Sequence, residues 1–276
     1  MARSGRSLLI IFLITITSFP TLSAQSKANQ PSPVIAQNLN FGRCFQELGI
    51  EGSILIYDQN NKKFYEHNTF RNSTAFYPAS TFKILNSLIA LETGVIKDDV
   101  AVLTWDGIKR EIPAWNRDTN LRQAFKDSTV WFYQVLARRT GHERMQKFIN
   151  QVGYGNRQIG TPEQIDKFWL EGPLQITPRQ QIDFLQRLYR KDLPFSLRTL
   201  DLVQDIMIFE RTPNYILRGK TGWATSVKPN IGWFVGYLEQ NNNVYFFATN
   251  INIQDNDDVT ARIEVTRRSL KALGLL

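Results

Sequence analysis

Tyr77-Pro78-Ala79-Ser80-Thr81-Phe82-Lys83-Ile84-Leu85 places a hydroxyl and an amine three positions apart at the opening of an apolar run. Pro78 at the start, Ile84, Leu85, Leu88, Ile89 and Leu91 at helical spacing, and Gly94 at the end predict a mostly buried helix opening near Ser80. That spacing puts Ser80 and Lys83 on one helical face, so an amine that has lost its proton could take the proton of the hydroxyl. The serine also sits where backbone N–H groups point outward and the helix dipole favours negative charge, which suits an acyl-transfer nucleophile. A Ser-x-x-Lys arises by composition roughly once in a chain of this length, and a serine opening a helix is usually only a cap. The motif therefore needs partners from elsewhere in the chain.

Gly52–Asp58 and Lys63–His67 flank the turn Gln59-Asn60-Asn61-Lys62 and read as a hairpin. The segment from Gly94 to Trp115 reads as a surface loop anchored by Trp105, Ile112 and Trp115. Leu121 to Val152 is helical in short pieces broken near Asp127 and Gly141. A loop marked by proline and glycine runs from Gly160 to Thr177 and carries Phe168-Trp169-Leu170-Glu171. Helices are expected over Pro178–Arg190 and Leu197–Phe209, strands over Tyr215–Thr221, Ile231–Glu239 and Val244–Ile253, and a last helix over about Val259–Leu273. Strands at both chain ends and helices between them give an α/β (α+β) class. Its antiparallel sheet is built from both ends, with the terminal helices on one face and the helical middle region on the other. The sheet region is then 38–68 with 210–276, the helical region 69–209, and the Ser80 helix lies beside a cleft between them.

With 276 residues, 42% hydrophobic, the chain can bury a full core as one domain, expected to span 25–276. Residues 1–24 stand apart. Arg3 and Arg6 precede an apolar run from Leu8 to Phe19, and Pro20-Thr21-Leu22-Ser23-Ala24 follows, the pattern of a secretory signal peptide cut after Ala24. The apolar run is shorter than the roughly 20 residues that span a bilayer, so no stable membrane association is expected after cleavage. Residues 25–37 read as a leader arm. Cys44 is the only cysteine, forms no internal disulfide and is expected as a small core residue. Subtracting Arg3 and Arg6 from the formal +8 leaves +6. The basic residues are scattered without interleaved aromatics, which argues against nucleic acid and for a mild pull on anionic small molecules. No residue cluster has metal-ligand spacing, so no metal or organic cofactor is expected.

The partners come from further along. Lys220-Thr221-Gly222 ends the Tyr215 strand, a pattern with about a one-in-seven chance of occurring by composition, and Tyr154-Gly155-Asn156 has roughly one in fifty. Ser128-Thr129-Val130 begins a helix between the Ser80 helix and Lys220. Ser80-Thr81-Phe82-Lys83, Ser128-Thr129-Val130, Tyr154-Gly155-Asn156 and Lys220-Thr221-Gly222, in that order, resemble the class D (oxacillinase-type) serine β-lactamases across essentially the whole chain after residue 24. The class A and penicillin-binding-protein pattern has asparagine where Val130 stands; valine there is the class D form.

The resemblance implies the serine β-lactamase / penicillin-binding-protein transpeptidase-like fold and hydrolysis of β-lactam antibiotics through a serine acyl-enzyme. It also implies antibiotic resistance, and a periplasmic monomer or homodimer. An ordinary lysine, pKa about 10.4, is protonated at neutral pH, but burial penalises the charged ammonium, and Val130 with Trp169-Leu170 would supply apolar walls. The family then implies carbon dioxide as a covalent N6-carboxylation of Lys83, with Trp169 its hydrogen-bond partner. Glu171 is expected to be structural. Ser128 would relay a proton to the departing lactam nitrogen, with Lys220 shaping the field. Thr221 and Arg262 would hold the substrate carboxylate, and the backbone N–H groups of Ser80 and Trp223, beside Gly222, would form the oxyanion hole. Tyr154 and Asn156 are expected at a structural edge of the cleft, and His67 and His142 at the surface. The alternatives are a penicillin-sensing receptor domain that acylates without turnover, a D,D-peptidase, and a non-enzymatic secreted protein on the same scaffold.

Overall fold

A computed structural model describes residues 1–2, 40–255 and 258–276. The chain separates into compact units over residues 1–32 and 33–276, and of the first only Met1 and Ala2 are described. The expected signal peptide and leader arm therefore lie outside the described residues, apart from Met1 and Ala2.

In the second unit α1 (Gly42–Leu48) precedes β1 (Gly52–Asp58) and β2 (Lys63–His67), which form the expected hairpin. After α2 (Thr69–Asn72), a tight 3₁₀ turn over Ala79–Phe82 runs into α3 (Lys83–Glu92). Every residue of α3 from Lys83 to Leu91 is buried. A helix buried on all sides, its polar Lys83, Asn86 and Ser87 included, belongs at the centre of a fold rather than on its surface. The short ribbon β3 (Val102–Leu103) and β4 (Thr119–Asn120) brackets the loop that holds Trp105 and Trp115, which pack half-buried against the core. Ile112, expected as a third anchor, is instead 45% exposed.

The helical middle appears in the expected pieces: α4 (Leu121–Lys126), α5 (Val130–Thr140), α6 (His142–Val152), α7 (Pro178–Tyr189) and α8 (Leu197–Ile206). Thr177 caps α7 reciprocally with Gln180, and Pro178 supplies a fixed φ where no N–H is needed. The helix expected to reach Phe209 ends at Ile206, because Ile208–Arg211 forms β5, an edge strand alternating half-buried and exposed. There the chain finds partners on β6 (Ile216–Ala224). The sheet closes with β7 (Asn230–Gln240) and β8 (Asn243–Ile253), before α9 (Asp258–Ala272).

Among the described residues the sheet has six strands, ordered β2-β1-β8-β7-β6-β5, all antiparallel. Side chains alternate across it. Phe246 and Trp233 join the core with the helical middle, while Phe247 and Phe234 face the layer containing Phe45 of α1 and Val265 and Leu270 of α9. Cys44, expected inside the core, is only half-buried on α1.

Candidate active site

The Ser80 turn is clamped on several sides. Trp233 Nε1 donates to Tyr77 O at 2.9 Å, Ala79 N to Trp169 O at 2.9 Å, and Thr81 Oγ1 to Pro78 O at 2.7 Å. Gln181 Nε2, from the buried face of α7, donates to Thr81 Oγ1 at 2.9 Å. These bonds hold Ala79 at φ 47°, a left-handed conformation that costs a residue with a Cβ of order 1 kcal/mol. Such strain, next to the serine, is kept only where the surroundings over-determine it.

Lys83 lies one position past this turn, fully buried, with Nζ 2.7 Å from Ser80 Oγ. Burial, and then the positive charge of Lys220, push its pKa well below the ordinary lysine value. The Tyr133 ring, 5.2 Å from Nζ, forms one wall of the pocket. Its hydroxyl pairs with Ser87 Oγ at 3.0 Å, and that oxygen donates to Lys83 O at 2.7 Å. Tyr133 carries no motif, and only its place one turn after Val130 on the same helical face could have signalled it. Val130 itself is half-buried at the start of α5.

Trp169 is fully buried and stacked on Phe82, the residue before Lys83, at 5.4 Å. Its Nε1 is a buried donor with no hydrogen-bond partner among the described residues. An orphaned donor of this kind costs about 1–3 kcal/mol and normally awaits an acceptor. Tyr154 is not at the cleft edge as expected. It is buried beneath the site, edge-on to Phe82 at 5.7 Å and to Phe184 at 5.1 Å. Asn156 is exposed and ties down the end of the Trp169 loop: Nδ2 donates to Pro173 O at 2.8 Å and Oδ1 accepts from Gln175 N at 3.1 Å.

From the opposite side β6 brings Lys220-Thr221-Gly222. A Cβ on Gly222 would lie 3.1 Å from both Pro78 O and Thr81 Cγ2, so strand and serine turn are already in close contact. Lys220 is 3% exposed, and its Nζ donates to Ser128 Oγ at 3.0 Å and to Thr221 O at 3.1 Å. Burial, then the charge of Arg262, lower its pKa to about 7. Arg262 reaches this end of the cleft from α9. Burial lowers its own pKa to about 10, and its Nε and Nη1 are buried without a hydrogen-bond partner among the described residues. Thr221 pairs with Phe234 across β6 and β7, which puts its side chain on the α9 side of the sheet. Trp223, 37% exposed, stands at the end of the same strand. Ser128 links the two halves at φ 57°, again left-handed.

Ser80, Lys83, Ser128 and Lys220 thus form one linked cluster, with Arg262 acting on Lys220 and Trp169 stacked behind Phe82. His142 Nε2 meets Gly160 O at 2.8 Å and His67 packs on Phe45 at 4.7 Å, neither against these residues. His67 is half-buried rather than on the surface, and burial lowers its pKa. A serine with a buried amine of lowered pKa at 2.7 Å, a second hydroxyl bonded to a second buried lysine, and a buried arginine with no acidic partner among the described residues can perform acyl transfer on a substrate that carries an anionic group.

Residues 51–271 match the family model of the penicillin binding protein transpeptidase domain. The chain is 41% identical over 235 residues to "Beta-lactamase OXA-48" of Klebsiella pneumoniae, covering 85% of this chain and 88% of that one. It is 37% identical to "Probable beta-lactamase YbxI" of Bacillus subtilis (strain 168), covering 82% of each. Among solved structures, the class D β-lactamase YbXI from Nostoc superposes with a TM-score of 0.86 at 81% identity, covering 87% of this chain and all (100%) of that one. The class D β-lactamase FUS-1 from Fusobacterium nucleatum subsp. polymorphum gives 0.82 at 42% identity, covering 86% and 98%.

Proposed function

The chain belongs to the class D serine β-lactamases, and from that premise we propose that it opens β-lactam antibiotics through an acyl-enzyme on Ser80, with Lys83 as the base for both half-reactions. The observation that carries this reading is the fully buried Lys83 amine, held 2.7 Å from Ser80 Oγ with its pKa well below normal. A protonated lysine could not accept the serine proton, whereas a neutral one can.

The pocket fits carbon dioxide bound covalently to Lys83. A neutral amine is the form that adds it, and the orphaned Trp169 Nε1–H is a donor suited to hold the product. When bound, it would supply a carboxylate-like base at the end of the lysine side chain.

Ser80 Oγ attacks the lactam carbonyl as its proton passes to the Lys83 side chain, and the ring C–N bond breaks. The leaving nitrogen takes a proton from Ser128 Oγ, which Lys220, 3.0 Å away and titrating near 7, replaces. Backbone N–H groups of Ser80 and Trp223 stabilise the oxyanion, one such donor being worth about 3 kcal/mol. Arg262 and Thr221 bind the ring carboxylate, a role that suits a buried guanidinium whose Nε and Nη1 have no hydrogen-bond partner among the described residues. The Lys83 side chain passes the proton it took from Ser80 on to Lys220, which restores both groups, and a water then gives its proton to the Lys83 side chain and its hydroxide to the acyl carbon. The ester breaks, Ser80 regains a proton, and the net change is addition of one water. Export to the periplasm and a contribution to β-lactam resistance go with this reading.

The test is turnover of a chromogenic cephalosporin by the purified protein, with and without added bicarbonate. Steady turnover that bicarbonate increases supports the reading, while a single stoichiometric burst would mark a penicillin sensor or a D,D-peptidase instead.

A further inference from the structure

Resting on the reading of Ser128 as the proton donor to the leaving nitrogen, we infer that Trp115 and Trp131 are positioning residues that hold this hydroxyl in line through a reciprocal clasp of their indole N–H groups. Ser128 lies in the break between α4 and α5 in a left-handed conformation, φ 57°, that serine does not favour. The backbone closes α4 there, with Ser128 N bonded to Phe125 O at 3.3 Å and Thr129 N to Ala124 O at 2.9 Å, but Thr129 makes no side-chain cap for α5.

The loop between β3 and β4 adds a restraint from outside the segment. Trp115 Nε1 donates to the carbonyl of Asp127, the residue before Ser128, at 2.9 Å. Trp131, the second residue of the helix that follows Ser128, returns the bond: its Nε1 donates to Trp115 O at 2.8 Å. The loop is thus tied to the chain on both sides of Ser128. The Asp127 carboxylate is fixed as well, by Gln123 Nε2 at 2.9 Å and Arg117 Nη2 at 3.0 Å. The loop closes on itself through Asn116, which accepts from Arg110 N at 2.7 Å and donates to Arg110 O at 2.8 Å. Trp131 is 3% exposed, so its bond to Trp115 is shielded from water. The peptide between residues 127 and 128 cannot rotate without breaking the Trp115 bond, and its rotation would swing Ser128 Oγ off Lys220 Nζ.

A positioning role differs from a merely structural one in which substrate it affects. A penicillin releases an amine nitrogen that must be protonated as the C–N bond breaks. A thioester carrying the same acyl side chain releases a thiolate, which leaves without a proton. Single-turnover acylation by both compounds is measured for wild type, Ser128→Ala, Trp115→Phe, Trp131→Phe and the double tryptophan variant, with Tm for each. Phenylalanine keeps the ring and removes the donor. We expect each tryptophan variant to slow penicillin acylation about tenfold, the size of one lost neutral hydrogen bond, and to leave thioester acylation unchanged. The double variant should lose less than the product of the two, since both bonds close one clasp. Trp105→Phe is the control: it removes an indole donor from the same loop whose bond goes to Ile108 O, at 3.1 Å, rather than to residue 127, and should leave both rates alone. If Ser128→Ala is selective for the penicillin but the tryptophan variants slow both compounds alike, or neither, the clasp is overturned and the proton donor stands. If Ser128→Ala slows both compounds alike, the proton-donor reading itself falls.

Discussion

Lys83, Lys220 and Arg262 are cations that the fold takes out of water, and the site's chemistry follows from the desolvation they share. Lys220 titrates near 7 in the folded protein against an ordinary 10.5. Between those values the unfolded chain holds a proton the folded one has released, so folding stability rises with pH across that window, and below about 7 the full burial penalty remains. Lys220→Met should flatten this rise, as measured by chemical denaturation at intervals from pH 6 to 10. Lys83 adds to the same slope, because its pKa is displaced in the same direction. Lys83→Met should therefore abolish acylation while raising Tm by about 3 °C or more, a stability gained by discarding function. An activity loss accompanied by a fall in Tm would contradict the account of a costly buried amine. Arg262→Ala should raise KM for penicillins, lowering kcat/KM about 10- to 100-fold, the range of one charge-assisted hydrogen bond. A lactam without the ring carboxylate should be unaffected. At this scale the sequence was legible where chemistry demands a particular residue type at a particular spacing: Ser80 with Lys83, and Lys220 with Thr221. It was silent on Tyr133 and on the strain at Ala79, because the closeness of a ring to an amine, or a positive φ on an alanine, arises only from packing between distant segments.

Among the elements, the Trp169 loop has the least secondary structure and bears most directly on the base. Its ends are pinned by Phe76 pairing with Ile176 and by Asn156 bonding to Pro173 and Gln175. Gly155 holds φ 54°, and a Cβ there would come within 2.2 Å of Gln175 O, so no other residue lets the two segments approach. Asn156→Ala should loosen the loop and move Trp169 off Lys83. The expected result is an enzyme that needs several-fold more bicarbonate for half-maximal turnover, with its penicillin KM little changed. Bicarbonate dependence identical to wild type would show that the loop needs no such pin. The elements in the helical middle were readable because each carries an apolar face at a clear period and its breaks fall at Asp127 and Gly141. Several short elements were not, α1 and β5 among them. The short α1 has no side-chain cap at its start, and its end is marked only by Gly49 in the left-handed conformation. Strand β5 continues directly from α8, and its Ile208 and Phe209 extend the helical pattern; only pairing with β6 makes them a strand.

At the scale of the whole molecule, the antiparallel sheet joins both halves of the chain. Strand β8 sends Phe246 into the layer around α3 and Phe247 into the layer around α9. Each layer helps place the site, the first by enclosing Lys83 and the second by delivering Arg262. Phe246→Ala and Phe247→Ala should each cost about 3–5 kcal/mol, and both should leave a single unfolding transition when far- and near-ultraviolet circular dichroism are followed together. The order of elements could be read because the strands lie at the chain ends. The way the two layers meet over the sheet to exclude water from one amine could not, since it depends on every packed side chain between them. That dry amine is the centre of the account, and carbon-13 NMR of the purified protein under labelled bicarbonate tests it most directly. A carbamate resonance that is present in the wild type, lost in Lys83→Met and weakened in Trp169→Ala is the predicted result. Absence of the resonance in a wild-type sample that still turns over penicillin would contradict it.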